Sequence, residues 1–83
     1  MKKQPPITPE LLERLKFRST SRAAWGETFV YEVDERLQVT VWISRDQTQV
    51  EVILVLVGTG ARELTGMNAE KLKHLILAIE SAA

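Results

Sequence analysis

The side chains best suited to catalysis or metal binding are scarce in this chain, which has one imidazole, His74, and no thiol. A zinc or iron cage built from several such ligands is excluded by that count, and no metal or other cofactor is expected. His74 stands opposite Leu72, Ile76 and Ile79 on a helical projection, so it reads as a solvent-facing side chain. No nucleophile or carboxylate motif points to it as a general base. Glu32, Asp34 and Glu35 cluster near a turn, where paired acids can bind a metal or move protons. Three acids at a solvated hairpin need no such role. Ser19, Thr20 and Ser21 lie in no nucleophile elbow. Gly58-Thr59-Gly60 follows a strand-like run, yet a dinucleotide loop needs a small residue where Glu63 stands, and no Gly-Lys-Ser/Thr is present. The chain therefore reads as no enzyme.

Two groups of residues point instead to binding by contact. Arg14, Lys16, Arg18 and Arg22, with Trp25 nearby, combine cations that neutralise phosphates with an aromatic that can stack on a base. Residues 1–25 hold six Lys/Arg against two Glu, and the remainder holds five against nine acids. Opposite charges of about four on the two segments of a neutral chain can steer a partner. The second group is apolar. Val30, Trp42, Ile53, Val55 and Val57 share one face of the strand-like runs described below, and Trp is the residue type most often found as an interface anchor. Bare, such a face would be a contiguous patch of the kind soluble monomers seldom expose. Whether the first helix covers it or leaves it free for a partner is open at this level.

The elements that must position these residues follow from periodicity. Thr8 is a helix N-cap, Pro9 occupies the first helical position, and Glu10 complements the dipole. Ile7 and Leu12 fit a hydrophobic staple, and Leu11, Leu12 and Leu15 make a narrow stripe over about two turns. Arg18 to Gly26 has no sustained period and is expected to be a loop. Three strands follow. Phe29, Tyr31 and Val33 share a face in the first; Leu37, Val39, Val41 and Ile43 in the second; Val50, Val52, Leu54 and Leu56 in the third. Short polar connections predict an antiparallel meander. Pairing Val33 with Leu37 and Ile43 with Val50 puts all these residues on one side. Gly58 to Gly66 is expected to be a loop. Asn68 then caps a last helix, with Met67 stapled to Leu72 and with Leu72, Leu75, Ile76 and Ile79 facing the sheet.

The expected fold is thus α+β, a three-stranded antiparallel meander between two helices in the order α-β-β-β-α. Residues 1–7 are expected to be a tail and 8–83 one domain, since 83 residues have room for a single core. Lacking disulfides and metal, so small a core would gain most from a second subunit. Lys2 and Lys3 lead into prolines instead of an apolar segment, and the longest aliphatic run, Val52 to Val57, is far too short for a membrane span. A cytoplasmic protein is expected, whether native to the cell or released there by a phage.

The opening Ile7-Thr8-Pro9-Glu10-Leu11-Leu12 through Phe17, and the helical Leu72-Lys73-His74-Leu75 near the end, resemble small uncharacterised proteins of gut bacteria, their phages and mobile elements. The resemblance covers about a quarter of the chain and implies an accessory or anti-defence protein that acts by contact, with no catalytic residues to carry over. The function expected from the sequence is a non-catalytic protein-interaction module, self-associating or binding a protein through the face around Trp42. The alternative is a nucleic-acid-binding accessory protein that uses the basic N-terminal third.

Overall fold

A computed structural model describes residues 6–82. In chain order the elements are α1 (Pro9–Arg14), β1 (Arg18–Ala23), β2 (Gly26–Glu32), β3 (Leu37–Ser44), β4 (Val50–Leu56), β5 (Gly60–Leu64) and α2 (Ala69–Ala82). The strands form one antiparallel sheet in sequence order, β1-β2-β3-β4-β5. The α+β class stands, but the three-stranded meander is corrected to five strands. The two segments expected to be loops hold β1 and β5 at the sheet's edges. Both edge strands are exposed over almost their whole length. Edge strands such as Arg18-Ser-Thr-Ser-Arg-Ala23 need bury no face, so they carry no apolar alternation for a sequence reading to detect.

The central register is the one expected. Ile43 pairs with Val50, and the Val33 amide donates to the Leu37 carbonyl at 3.0 Å. Phe29, Val41, Val52 and Leu64 lie in one cross-strand row, and Tyr31, Val39 and Leu54 in the next. Both helices pack on this inner face. Leu12 from α1 and Leu72 and Ile76 from α2 join Phe29, Val39, Val41, Ile43 and Val52 in one buried cluster.

Each helix begins on a side-chain cap. The Thr8 hydroxyl accepts from the Leu11 amide at 3.2 Å, and Asn68 Oδ1 accepts from the Lys71 amide at 2.9 Å. The end of α1 is a Schellman turn. Phe17 N–H donates to Leu12 O at 2.9 Å and Lys16 N–H to Glu13 O at 3.1 Å, with Lys16 at φ 68°. That turn drops Phe17 into the core beside Leu12, and its ring meets Tyr31 at 5.5 Å between centroids. Residues 1–5 of the expected tail lie outside the described residues. Ile7, assigned to that tail, is instead 4% exposed and belongs to the core.

Candidate interaction surface

Alternation along the strands sends the other half of their side chains to the outer face. Val30, Thr40 and Ile53 form its middle row, with Arg18 at one end of that row and Glu63 at the other. Thr28, Trp42 and Glu51 form the row on one side, and Glu32, Gln38, Val55 and Ala61 the row on the other. The hydrophobic residues that pack on the core all come from the inner face, the helices or their flanks; none of Val30, Trp42, Ile53 or Val55 is among them. These four are half-buried, as neighbours within a sheet alone would make them. Among the described residues, no helix lies on this face, so the question left open for α1 is answered by its packing on the other side. Val57 falls past the end of β4, in the turn to β5, and is 52% exposed at the margin of the patch.

Trp42 owes its position to a glycine. A Cβ on Gly26 would lie 2.6 Å from Trp42 Cζ2 and 2.7 Å from both Trp42 Cε2 and the Ile43 carbonyl oxygen. The indole therefore lies against bare backbone at the start of β2. Gly26 gave no signal in the sequence, because its role depends on pairing with β3. Trp25, in the β1–β2 turn, is 72% exposed. A shallow depression of ≈ 560 Å³ runs from Trp25 to Trp42, floored by Arg45, Asp46, Thr48 and Gln49. It adjoins the outer face and gives that face a concave corner. The β3–β4 turn beneath it is held by Asp46, whose Oδ1 accepts from Ser44 Oγ at 2.8 Å and Thr48 Oγ1 at 2.7 Å. The Thr48 and Ser44 hydroxyls hold the Asp46 carboxyl below its ordinary pKa.

The basic residues proposed for nucleic acid do not converge. Arg18 sits in the Val30 row of the outer face and ion-pairs with Glu32 at 3.1 Å. Arg22 pairs across β1–β2 with Glu27, in the inner-face row of Ile43, and its guanidinium meets the Glu27 carboxylate at 3.4 Å. The bulge between Ser19 and Ser21 separates the two arginines along the strand. Arg14 ends α1, Lys16 belongs to its cap, and Trp25 occupies the hairpin turn beyond Arg22.

Near Arg22 the structure shows a polar group that sequence reasoning missed. Glu27 receives the Ser19 hydroxyl as well as the Arg22 guanidinium. Arg22 and Glu27 border an open cleft of ≈ 370 Å³, lined also by Pro9, Ile43 and Arg45, between the start of α1 and the hairpin ends. Only the pairing of β1 with β2, invisible in the apolar pattern, brings these residues together. Two of the three acids near the β2–β3 turn, Glu32 and Asp34, have structural partners. Asp34 Oδ1 accepts the Arg36 and Leu37 amides at 2.7 and 2.9 Å, while Glu32 holds Arg18. His74 is exposed on α2. Gly58-Thr59-Gly60 forms the β4–β5 turn and the first residue of β5, with Gly58 at φ 84°. Among the described residues, no three His, Cys, Asp or Glu side chains are grouped to hold a metal ion, and no helix is long and apolar enough to cross a membrane. The chain matches no protein-family model, no curated protein and no solved structure.

Proposed function

We propose that this protein is a non-catalytic interaction module and that the outer sheet face, which carries Val30, Trp42, Ile53 and Val55, is the binding surface. One observation carries the reading: both helices pack on the inner face, leaving a five-stranded face with an apolar middle and a charged rim. An apolar centre inside a polar margin is the ordinary anatomy of a protein interface. The Trp25–Trp42 depression adds a place for an anchoring side chain. Such a module fits an accessory protein that acts by contact, the role implied by the resemblance to small phage and mobile-element proteins.

The test compares the untagged protein with Ile53→Glu by size-exclusion chromatography under two conditions, in cell extract at native abundance and purified at about 1 mM, where a weak self-complex would also form. The unsubstituted chain should elute well above its 9.4 kDa mass, and the variant should elute free while its circular dichroism is unchanged. Free elution of both, or retention of the Ile53→Glu chain in the complex, would remove the outer face from consideration.

A further inference from the structure

We infer that the outer face is occupied by a second copy of this chain, stacked sheet on sheet about a two-fold axis parallel to β3; this inference rests on the reading of that face as a binding surface. Size supports a self-complementary pair. Five strands about 4.8 Å apart and about six residues long give a face of roughly 500 Å². Two such faces bury roughly 1,000 Å² together, the lower end of specific interfaces, which corresponds to a weak, concentration-dependent dimer.

Charge selects the axis. Among the described residues, the β4–β5 side of the outer face carries Glu51 and Glu63 and no cation, since Arg62 pairs with Leu54 in an inner row. Among the described residues Arg18, which ion-pairs with Glu32 in the same copy, is the outer face's cation on the β1 side. A two-fold running across the strands would lay the β4–β5 side of one copy on that of the other. Glu63 would then face Glu63 of the second copy and Arg18 would face Arg18, an arrangement that disfavours association. A two-fold parallel to the strands reverses the strand order instead, so β1 of one copy lies over β5 of its mate while each cross-strand row stays level. Arg18 then faces Glu63 of the second copy, and Val30 faces Ile53. Trp42 meets Trp42 across the axis, and Glu51 meets the Thr28 hydroxyl. Arg18 and Glu63 have long enough side chains to follow the offset of about 30° between aligned packed sheets.

The geometry is tested by reversing one charge at a time. Arg18→Glu and Glu63→Arg are both at exposed edge positions, and among the described residues the one ion pair lost is the exposed Arg18–Glu32 contact, so each variant should remain folded. In a homodimer of either variant, both edge contacts become like-charged. In a mixed dimer of the two variants, both contacts become opposite-charged again. Sedimentation equilibrium up to about 1 mM should show a wild-type dimer and at least about tenfold weaker self-association for each variant alone. An equimolar mixture should recover dimer to within about threefold of wild type. Failure of the mixture to recover would overturn the strand-parallel axis. A dimer indifferent to both charge reversals and to Ile53→Glu would place self-association elsewhere and overturn the inference. A wild-type monomer at about 1 mM would also overturn it, while a larger native complex lost on Ile53→Glu would leave the face itself assigned to another protein.

Discussion

Val41 and Trp42 are neighbours on β3 and meet opposite surroundings. Val41 is fully buried beneath the helices, among Leu12, Leu72 and the inner rows of the sheet. Trp42 points away from them and lies over Gly26. The comparison extends across the sheet, where each strand contributes alternate residues to a covered face and an uncovered one. Apolar residues on the covered face contribute to folding in the monomer. The same residue types on the other face gain little until a partner removes water from them. A chain of this size holds about 4–12 kcal/mol of stability. Retaining Val30, Trp42, Ile53 and Val55 where they add little to the monomer is the pattern expected of a surface used for contact.

The largest effect that would sharpen this contrast is on the inner side. Leu72 is 0% exposed in the middle of the core. Leu72→Ala should cost about 3 kcal/mol, lowering the melting temperature by more than about 10 °C in a calorimetric scan. The next effect lies where the outer face is built on its backbone. Gly26→Ala brings its Cβ to 2.7 Å from the Ile43 carbonyl oxygen, which cannot yield without moving the β2–β3 ladder. It should cost about 2 kcal/mol and displace the Trp42 indole, read as a shift in near-ultraviolet circular dichroism with the far-ultraviolet spectrum retained. A Gly26→Ala protein with wild-type stability and an unmoved Trp42 signal would break the account of how this face is assembled.

Legibility in the sequence follows the same division between covered and uncovered. The three central strands, their register, both helix starts and the inward stripe of α2 could be read because burial imposes a period on apolar residues. The edge strands could not. Arg18–Ala23 and Gly60–Leu64 owe their conformation to hydrogen bonds with β2 and β4 that impose no side-chain pattern. The outer-face patch was legible through Val30, Trp42, Ile53 and Val55, because it follows from the central register alone. Glu63 and the opposition of Arg18 and Glu63 at the two ends of one row were not, since both require the edge strands. Neither was the Gly26–Trp42 contact.

A smaller effect, of opposite sign, concerns how α1 is held on the covered side. Lys16 adopts a left-handed conformation, φ 68°, at the position of a Schellman turn that glycine usually takes. A side chain there costs about 1 kcal/mol relative to glycine. Lys16→Gly should therefore raise stability by up to about 1 kcal/mol in urea denaturation, with an unchanged m-value, although it removes one of the basic residues of the N-terminal third. A loss of stability would mean that the Lys16 ammonium makes a contact of greater value than the strain.

The smallest effect, at Val30, tests the comparison most directly when set beside the same substitution at Val41. Val→Thr exchanges one methyl for a hydroxyl of nearly the same shape, so the cost reports whether water can reach the site. At Val41, fully buried, the hydroxyl loses its water, and the substitution should cost about 1–3 kcal/mol. At Val30, two strand positions from Trp42's partner Thr28, water remains at hand, and Val30→Thr should cost no more than about 0.5 kcal/mol in dilute protein. The gap should narrow as concentration rises. If a second copy covers the outer face, the dimer stabilises wild type by mass action, and the hydroxyl at position 30 then loses its water too. Val30→Thr should therefore become costlier as concentration rises, and Val41→Thr should not. Equal and concentration-independent costs at the two positions would mean that the outer face is already covered in the monomer, and the contrast between the faces would not hold in solution.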